Sequence, residues 1–319
     1  MNDYIYREDF IFGTKVSHKI YKENIDCELI LDKSTSIMKE FENKLSLFKE
    51  TSEISKINEN AGNDFVYVSK DTFDIIDKSI YFSKLTQGLL DITIAPLVKA
   101  WGINTYNPRF IEKENIDKIL PLINYNDIIL DEKNLGVRLA NKNQKIDLGD
   151  IAKGYIADYI IEFYKKNNVK SAILNIGGNI KVLGRKDNKN KWNVGIYEPI
   201  KHSTTAICSV NVSDMSVVTS GIYERAFIQN DKLYHHILNP NTGYPAVTDI
   251  KSITIINESS LICDALSTPL LIMGVNKASE FIKNNNINGI IIDDKNNIIL
   301  TKNLIKDFTL FENYKVLCF

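Results

Sequence analysis

The segment IDLGDIAKGYIAD, residues 146–158, places two glycines and a lysine where a strand turns into a helix. Backbone N–H groups at a helix N-terminus attract phosphate, and Lys153 adds a positive charge in the first turn. Gly149 and Gly154 admit a ligand or a second backbone at close range. The same pattern also reads as a plain strand-to-helix turn with Asp150 as its N-cap. A second pair, Gly177-Gly178 in NIGGN, closes a strand. It suits a backbone wrapped around a bulky ligand, and it equally suits a bulge or turn. Neither a Walker A sequence nor a GxGxxG after a strand is present, which excludes P-loop and Rossmann sites.

The stretch YHHILNPNTGYP, 234–245, holds adjacent histidines before a turn signature. Successive strand residues face opposite sides, so His235 and His236 cannot both face one site. One reads as a structural histidine and the other as a candidate base near neutral pH. In SLICDALSTPLLIMG, 260–274, Asp264 and Thr268 stand four residues apart. On a helix they share a face, and a carboxylate, a hydroxyl and a phosphate are hard oxygen donors suited to Mg²⁺. The plainer reading is a helix with an Asp near its N-terminus. Pro269 disfavours helical Thr268, so the helix is expected to kink there or start late. Taken together, these features suit a Mg²⁺-assisted site for a nucleotide bearing a pyrophosphate.

The elements that must position these residues follow from apolar spacing. A strand is expected at 10–21 and an amphipathic helix at 25–48, with Ile30, Ile37, Met38, Phe41, Leu45 and Phe48 on one side. Residues 51–60 form a loop or short helix. A helix at 71–87 takes Asp71 as N-cap and Gly88 as its stop. Residues 89–102 are apolar but broken by Pro96. Residues 104–145 read as a peripheral excursion with a small helix at 112–120 that Pro121 ends. A strand at 144–148 leads into a helix at 151–166, with Ala152, Ile156, Tyr159 and Phe163 as its apolar face. Strands then dominate, at about 171–175, 180–184, 192–197, 205–212, 216–219, 224–228, 251–256, 289–292 and 297–300. Helices are expected at 260–273 and 277–284. The order is α+β, without regular βαβ repetition.

Length and composition set the outer bounds. At 319 residues and 36.4 kDa, the chain can bury roughly 75% of its unfolded surface. Hydrophobic content of 44% and charged content of 25% are globular values. The formal net charge of −1 lacks the basic excess that nucleic-acid binding demands. Cys27, Cys208, Cys263 and Cys318 form no CxxC pair and no cluster with histidine, so a zinc site is not expected. No run of about 18 apolar residues occurs, so no membrane span is expected. The opening MNDYIYREDFIFGT shows no signal peptide or lipidation cysteine, which makes the cytoplasm the expected location.

Several blocks, in order along the chain, resemble the FAD:protein FMN transferases, the ApbE-type flavin transferases. They are FGT (12–14), LSLFKETSEISKIN (45–58), QGLLDITIAPLVKAWG (87–102), IDLGDIAKGYIAD, LNIGGNI, VVTSGIYER, HHILNPNTGYP and CDALST. The resemblance implies one ApbE-like domain over 1–319, with a mixed-sheet, two-lobed α+β fold and an FAD cleft between the lobes. It implies Mg²⁺-dependent transfer of FMN from FAD to a threonine or serine of an acceptor protein, releasing AMP. The acceptors of such enzymes are subunits of electron-transfer systems. Two alternatives stay open: a Mg²⁺-dependent FAD pyrophosphatase giving FMN and AMP, and a non-catalytic FAD-binding protein.

Carried over by position, the resemblance places FAD contacts at Phe12, Phe48, Leu89, Leu90, Asp91, Asp147, Lys153 and Leu238, with the Gly177-Gly178 turn beside them. Asp264 and Thr268 match side-chain metal ligands. Ser267 falls where some members carry a second, stronger aspartate ligand. Asp150 falls where a metal ligand is often a backbone carbonyl. His236 matches the family histidine and is the candidate base, with Lys153 assisting. Three positions depart from the pattern. Phe12 replaces methionine, Asn239 replaces an aspartate and so removes a charge near His236, and Pro269 follows Thr268. Family members are often exported lipoproteins, and no such leader is visible here.

Overall fold

The computed structural model describes residues 4–22, 25–103, 105, 107–186 and 189–319. The expectation about the chain's opening therefore falls partly outside the described residues, and so do positions 104 and 106 of the expected excursion. The chain divides into two compact units. The first comprises Met1–Glu42, Lys153–Gly221 and Asp249–Phe319; the second comprises Asn43–Ala152 and Ile222–Thr248.

The first unit is built on a nine-stranded mixed sheet. In spatial order its strands are Tyr4–Ile11, Thr14–Tyr21, Ala172–Ile176, Asn179–Leu183, Ser216–Gly221, Ile250–Asn257, Asn288–Asp293, Ile298–Leu300 and Val316–Cys318. Neighbours are antiparallel except for the last pair, which is parallel. The strand Ile250–Asn257 is buried along most of its length, Ser252 and Thr254 included, because both its faces are covered. Ile256 joins a core with Val182, Val217, Ile290 and Ile292. That core also takes Trp192, Val194, Ile207 and Val210 from the strands Trp192–Tyr197 and Ala206–Val212, two of the three in a smaller sheet. On the other face the helix Ser260–Met273 packs against Ser216–Gly221 and Ile250–Asn257. The helix Val275–Asn284 lies on Asn288–Asp293.

Two of the sequence expectations for this unit are corrected. Residues 10–21 are not one strand but the end of the first arm, the turn and the second arm of a hairpin. Phe12 (φ 58°) and Gly13 (φ 66°) form its two-residue tip, and a pair of positive φ values matches the strand twist. In the helix Ala152–Lys166 the buried face is Gly154, Ile156, Ala157, Ile160, Ile161 and Tyr164, not the row through Tyr159 and Phe163. Tyr159 instead meets the Phe41 ring edge-on at 5.0 Å while staying largely exposed.

The second unit carries the helices Glu53–Glu59, Lys70–Leu85, Ala95–Trp101 and Lys113–Ile119. It also has a three-stranded sheet, Val66–Tyr67, Gly136–Leu139 and Ile128–Asp131 in spatial order, and the hairpin Ala226–Gln229/Lys232–His235. Leu97, Trp101, Ile111, Ile116 and Leu238 are buried together, with Phe110, Phe227, Tyr234 and Tyr244 packed against them. Pro96 starts a helix rather than breaking one, because its missing N–H falls in the first turn. Ser69, not Asp71, occupies the N-cap of Lys70–Leu85, and Asp71 pairs with Lys44 at 2.9 Å. No strand forms at 144–148 beyond a single bridge from Lys145 to Ile94. Its backbone bonds go elsewhere: Ile146 N donates to Asn58 Oδ1 at 2.7 Å, Asn58 Nδ2 donates to Ile146 O at 3.0 Å, and Asp147 N donates to Ile92 O at 2.7 Å.

Candidate functional site

In the first unit the candidate residues gather at one end of the large sheet. The Phe12-Gly13 tip and the Gly177-Gly178 tip lie side by side there, since Val16 pairs with Ile176 and Gly177 N donates to Lys15 O at 3.0 Å. Gly177 and Gly178 join Ala172–Ile176 to Asn179–Leu183 with φ of 56° and 94°. A Cβ on Gly177 would sit 2.5 Å from Thr14 Oγ1, whereas one on Gly178 meets nothing within 4 Å. The pair is therefore a hairpin turn with one glycine required by packing and the other by conformation. Val218 pairs with Asn179, so Ser220, two residues further on, reaches the same end.

Asp264 lies on the helix Ser260–Met273, 5% exposed. Its Oδ2 accepts a hydrogen bond from Gly154 N at 2.8 Å, and its Oδ1 lies 4.0 Å from Lys153 Nζ. This contact explains Gly154: a Cβ there would fall 2.7 Å from Asp264 Cβ and 2.8 Å from Leu261 Cα. A second backbone, that of the neighbouring helix, fills the space the glycine leaves. Ser220 Oγ donates to Ser267 Oγ at 2.8 Å and lies 3.4 Å from Thr268 Oγ1. Ser267 Oγ donates in turn to Asp264 O at 3.2 Å. Ser220 was not singled out from the sequence; the VVTSG block that contains it was the available signal. The helix does not start late, and Pro269 lies inside it. It runs from a Ser259 cap, whose side chain accepts from Ile262 N, to Gly274.

The donor chemistry suits a hard divalent cation in part. Asp264 and Thr268 offer a carboxylate and a hydroxyl one turn apart, the oxygen set Mg²⁺ prefers. Ser267 fits less well, being buried with its hydroxyl engaged by Ser220 and by Asp264 O. Among the described residues no group of three or more His, Cys, Asp or Glu could hold a metal ion. A cation here would draw its remaining ligands from water and a substrate's phosphates.

The second unit holds the other candidates. Asp91 is buried with its carboxylate occupied: Oδ1 accepts from Thr93 N at 2.8 Å and Thr93 Oγ1 at 2.6 Å, and Oδ2 accepts from Tyr125 N at 3.0 Å. Burial pushes its pKa up, partly offset by the hydrogen bonds from Thr93 and Tyr125. This clamp ties the Leu89-Leu90 loop to residues 124–125. Leu90 is buried and Leu89 half-buried, while Phe48 is 86% exposed. Asp147 is half-buried and accepts from Gly149 N at 2.9 Å. Asp150 is exposed. Leu238 belongs to the aromatic-walled core described above.

The structure separates the two histidines. His235 is buried, and its Nε2 donates to Ala246 O at 3.0 Å. Burial pushes its pKa down, against the Ala246 hydrogen bond. His236 is half-buried, with Nδ1 3.3 Å from Arg225 O. A proton on Nδ1 shared with that carbonyl would make Nε2 the acceptor nitrogen of the ring. Below it the NPNTGYP loop is anchored by Trp101 Nε1, which donates to Gly243 O at 2.8 Å. Asn239 Oδ1 accepts from Asn241 N at 2.9 Å, as an aspartate oxygen would, so the turn survives the loss of charge.

A large mixed sheet flanked by helices defines an α+β protein, and its acid and hydroxyl set against a glycine-opened helix start could receive an oxygen-rich ligand. The chain belongs to the ApbE family, whose model matches residues 12–291. The FAD:protein FMN transferase of Klebsiella pneumoniae (strain 342) is 32% identical over 292 residues, covering 91% of this chain and 90% of that protein. The FAD:protein FMN transferase of Treponema pallidum (strain Nichols) is 29% identical, covering 87% and 81%. An ApbE protein from Thermotoga maritima superposes with a TM-score of 0.88 at 32% identity, covering 94% of this chain and 97% of its own. The flavin transferase ApbE from Vibrio cholerae shares the fold, with a TM-score of 0.82 at 22% identity and coverage of 97% and 96%.

Proposed function

We propose that this chain is an FAD:protein FMN transferase that moves FMN from FAD to a threonine or serine hydroxyl of an acceptor protein. The observation that carries the reading is the Asp264 carboxylate, held against Gly154 N–H beside Lys153 and one turn from Thr268, in a chain of this family. The family match runs through both units, which supports treating 1–319 as one flavin transferase domain. Asp264 and Thr268 would hold Mg²⁺, with Ser267 bracing them; Asp150 is retained as a ligand on the resemblance alone. When bound, the ion would neutralise negative charge on the diphosphate as it is split.

The remaining steps belong to the chain's own residues. Lys153 adds a fixed positive charge for phosphate oxygens. His236 Nε2 takes the proton of the acceptor hydroxyl. That oxygen bonds to the phosphorus of the FMN half, the bridging P–O bond breaks, and AMP leaves with the electron pair. Phe12, Phe48, Leu89, Leu90, Asp147, Gly177 and Gly178 are proposed FAD contacts. Asp91 and Leu238 are buried and engaged, so their part in binding is through backbone and loop shape. The acceptor is proposed to be an electron-transfer subunit. Among the described residues no helix is long and apolar enough to cross a membrane.

The test is incubation with FAD, Mg²⁺ and a candidate acceptor domain, following AMP by chromatography and flavin fluorescence on the acceptor band. Equal amounts of AMP and acceptor-bound flavin support transfer. Free FMN despite the acceptor identifies a pyrophosphatase, and persistently intact FAD identifies a binding protein. His236→Ala is expected to keep FAD binding while transfer falls roughly 10²–10⁴-fold. Flavinylation by that variant at the normal rate would remove His236 as the base.

A further inference from the structure

The helix that carries Asp264, Ser267 and Thr268 is held at its N-terminus by a side chain from outside it. Asp158 lies on the helix Ala152–Lys166, one turn beyond Gly154. Its Oδ2 accepts from Ser259 Oγ at 2.8 Å and Leu261 N at 3.0 Å, and its Oδ1 accepts from Ser260 N at 2.8 Å. Both oxygens are thus spent on the first turn of the neighbouring helix, where orphan N–H groups and the dipole favour a carboxylate. Lys181 Nζ lies 3.2 Å from Asp158 Oδ1 and donates to Glu258 O, so the cap is itself fixed from the sheet. Ser260 Oγ donates to Asn179 Oδ1 at 2.6 Å, and Ser216 Oγ donates to Ser260 Oγ at 2.8 Å. The same two helices meet a second time at Gly154 N–H and Asp264 Oδ2.

We infer that Asp158 is a positioning residue for the Asp264–Thr268 site: by capping Ser260 and Leu261 it sets the depth and rotation at which the helix presents Asp264 to Gly154 and Lys153. The physical argument is leverage between two contacts of the same pair of helices. The Gly154 contact is a single hydrogen bond beside a close backbone approach to Ser260 and Leu261, with no side chain of its own to resist sliding. The Asp158 contact supplies three hydrogen bonds and a charge at a second point along both helices. Two fixed points determine the relative placement of two rods along their length; one does not. Asp264 needs that placement because its Oδ2 is bound to one N–H while its Oδ1 must face outward to a ligand. The inference rests on the metal-assisted reading of this site given above.

The test uses the full chain and the variants Asp158→Asn and Asp158→Ala. The first keeps one oxygen acceptor and loses the charge; the second loses the whole cap. The first readout is the exchange rate of the Gly154 amide, measured by NMR without metal or flavin, well below the unfolding transition. The second is Mn²⁺ binding to the FAD-loaded protein, followed by electron paramagnetic resonance. Positioning predicts that Gly154 exchange rises at least several-fold and that Mn²⁺ binding weakens roughly 10-fold or more in Asp158→Ala. Asp158→Asn should fall between it and wild type, with FAD binding in the absence of metal unchanged. If Asp158→Ala does not fold, the comparison of Asp158→Asn with wild type decides. A variant that is only less stable, with Gly154 exchange and Mn²⁺ affinity as in wild type, overturns the inference. Wild-type protein that binds no Mn²⁺ with FAD present overturns the metal reading instead, and the inference falls with it even if the Gly154 amide responds.

Discussion

Gly154→Ala is the sharpest probe of how the site is assembled, because helix propensity and packing pull in opposite directions. On propensity alone, alanine in a helix is favoured over glycine by about 1 kcal/mol. The structure predicts the reverse outcome. A methyl group at this position falls 2.8 Å from Leu261 Cα, where ordinary contact begins at 3.4 Å, and it lies closer still to Ser260 O. The obstructing atoms are backbone, which cannot rotate away. The two helices must part by at least about 0.6 Å, the shortfall at Leu261 Cα, and by about 1.0 Å to clear Ser260 O, which lies 2.4 Å from the methyl. That stretches the Gly154 N–H bond to Asp264 Oδ2 from 2.8 Å to about 3.4 Å or more, outside the usual range. Overpacking costs roughly 1–3 kcal/mol and a lost hydrogen bond to a charged group roughly 1.5–3 kcal/mol. After the propensity gain, the expected net loss is about 1.5–5 kcal/mol. Urea denaturation measures it directly, and Mn²⁺ binding to the FAD-loaded variant should weaken with it. A Gly154→Ala protein at least as stable as wild type, with unchanged Mn²⁺ binding, would refute the close approach of the two helices.

Other outcomes follow from buried titratable groups. His18 is fully buried with Nδ1 2.5 Å from Tyr164 Oη, and burial pushes its pKa from 6.5 down to about 4. The unfolded chain therefore binds a proton that the folded chain refuses between those values, so stability is whole above pH 6.5 and is lost as pH falls toward 4. The loss amounts to about 3 kcal/mol. His18→Gln should flatten the stability–pH curve in that window, and an identical slope in wild type and variant would count against it. Burial also pushes the Cys208 thiol up to about 12 and raises Cys263 further, while Cys27 is buried and Cys318 exposed. A thiol reagent at pH 8 should label Cys318 alone in the native protein and all four after unfolding; rapid native labelling of Cys208 or Cys263 would contradict their burial.

Much of this arrangement could be read from residue order. The helix expected at 260–273 is present as Ser260–Met273, because its apolar run is a local signal. The opposite faces of His235 and His236 follow from strand geometry alone. What could not be read depends on partners distant in sequence. The stretch 144–148 looks like a strand, but Asn58 takes its backbone bonds, and no local pattern shows an amide 88 residues away. The helix at 152–166 buries Gly154 and Tyr164 rather than Tyr159. A glycine contributes no hydrophobic signal, and its use becomes visible only when Ser260 and Leu261 are seen beside it. Asp158 and Ser220 read as ordinary polar residues, because their work is done on a helix more than 40 positions further along the chain.

The most direct test is the intact mass of a candidate acceptor domain after incubation with this chain, FAD and Mg²⁺, alongside the Asp264→Ala variant. The account predicts an acceptor heavier by FMN minus water with the wild-type chain, AMP released in equal amount, and no adduct with Asp264→Ala. An unmodified acceptor with wild type, or an undiminished adduct with Asp264→Ala, would contradict it.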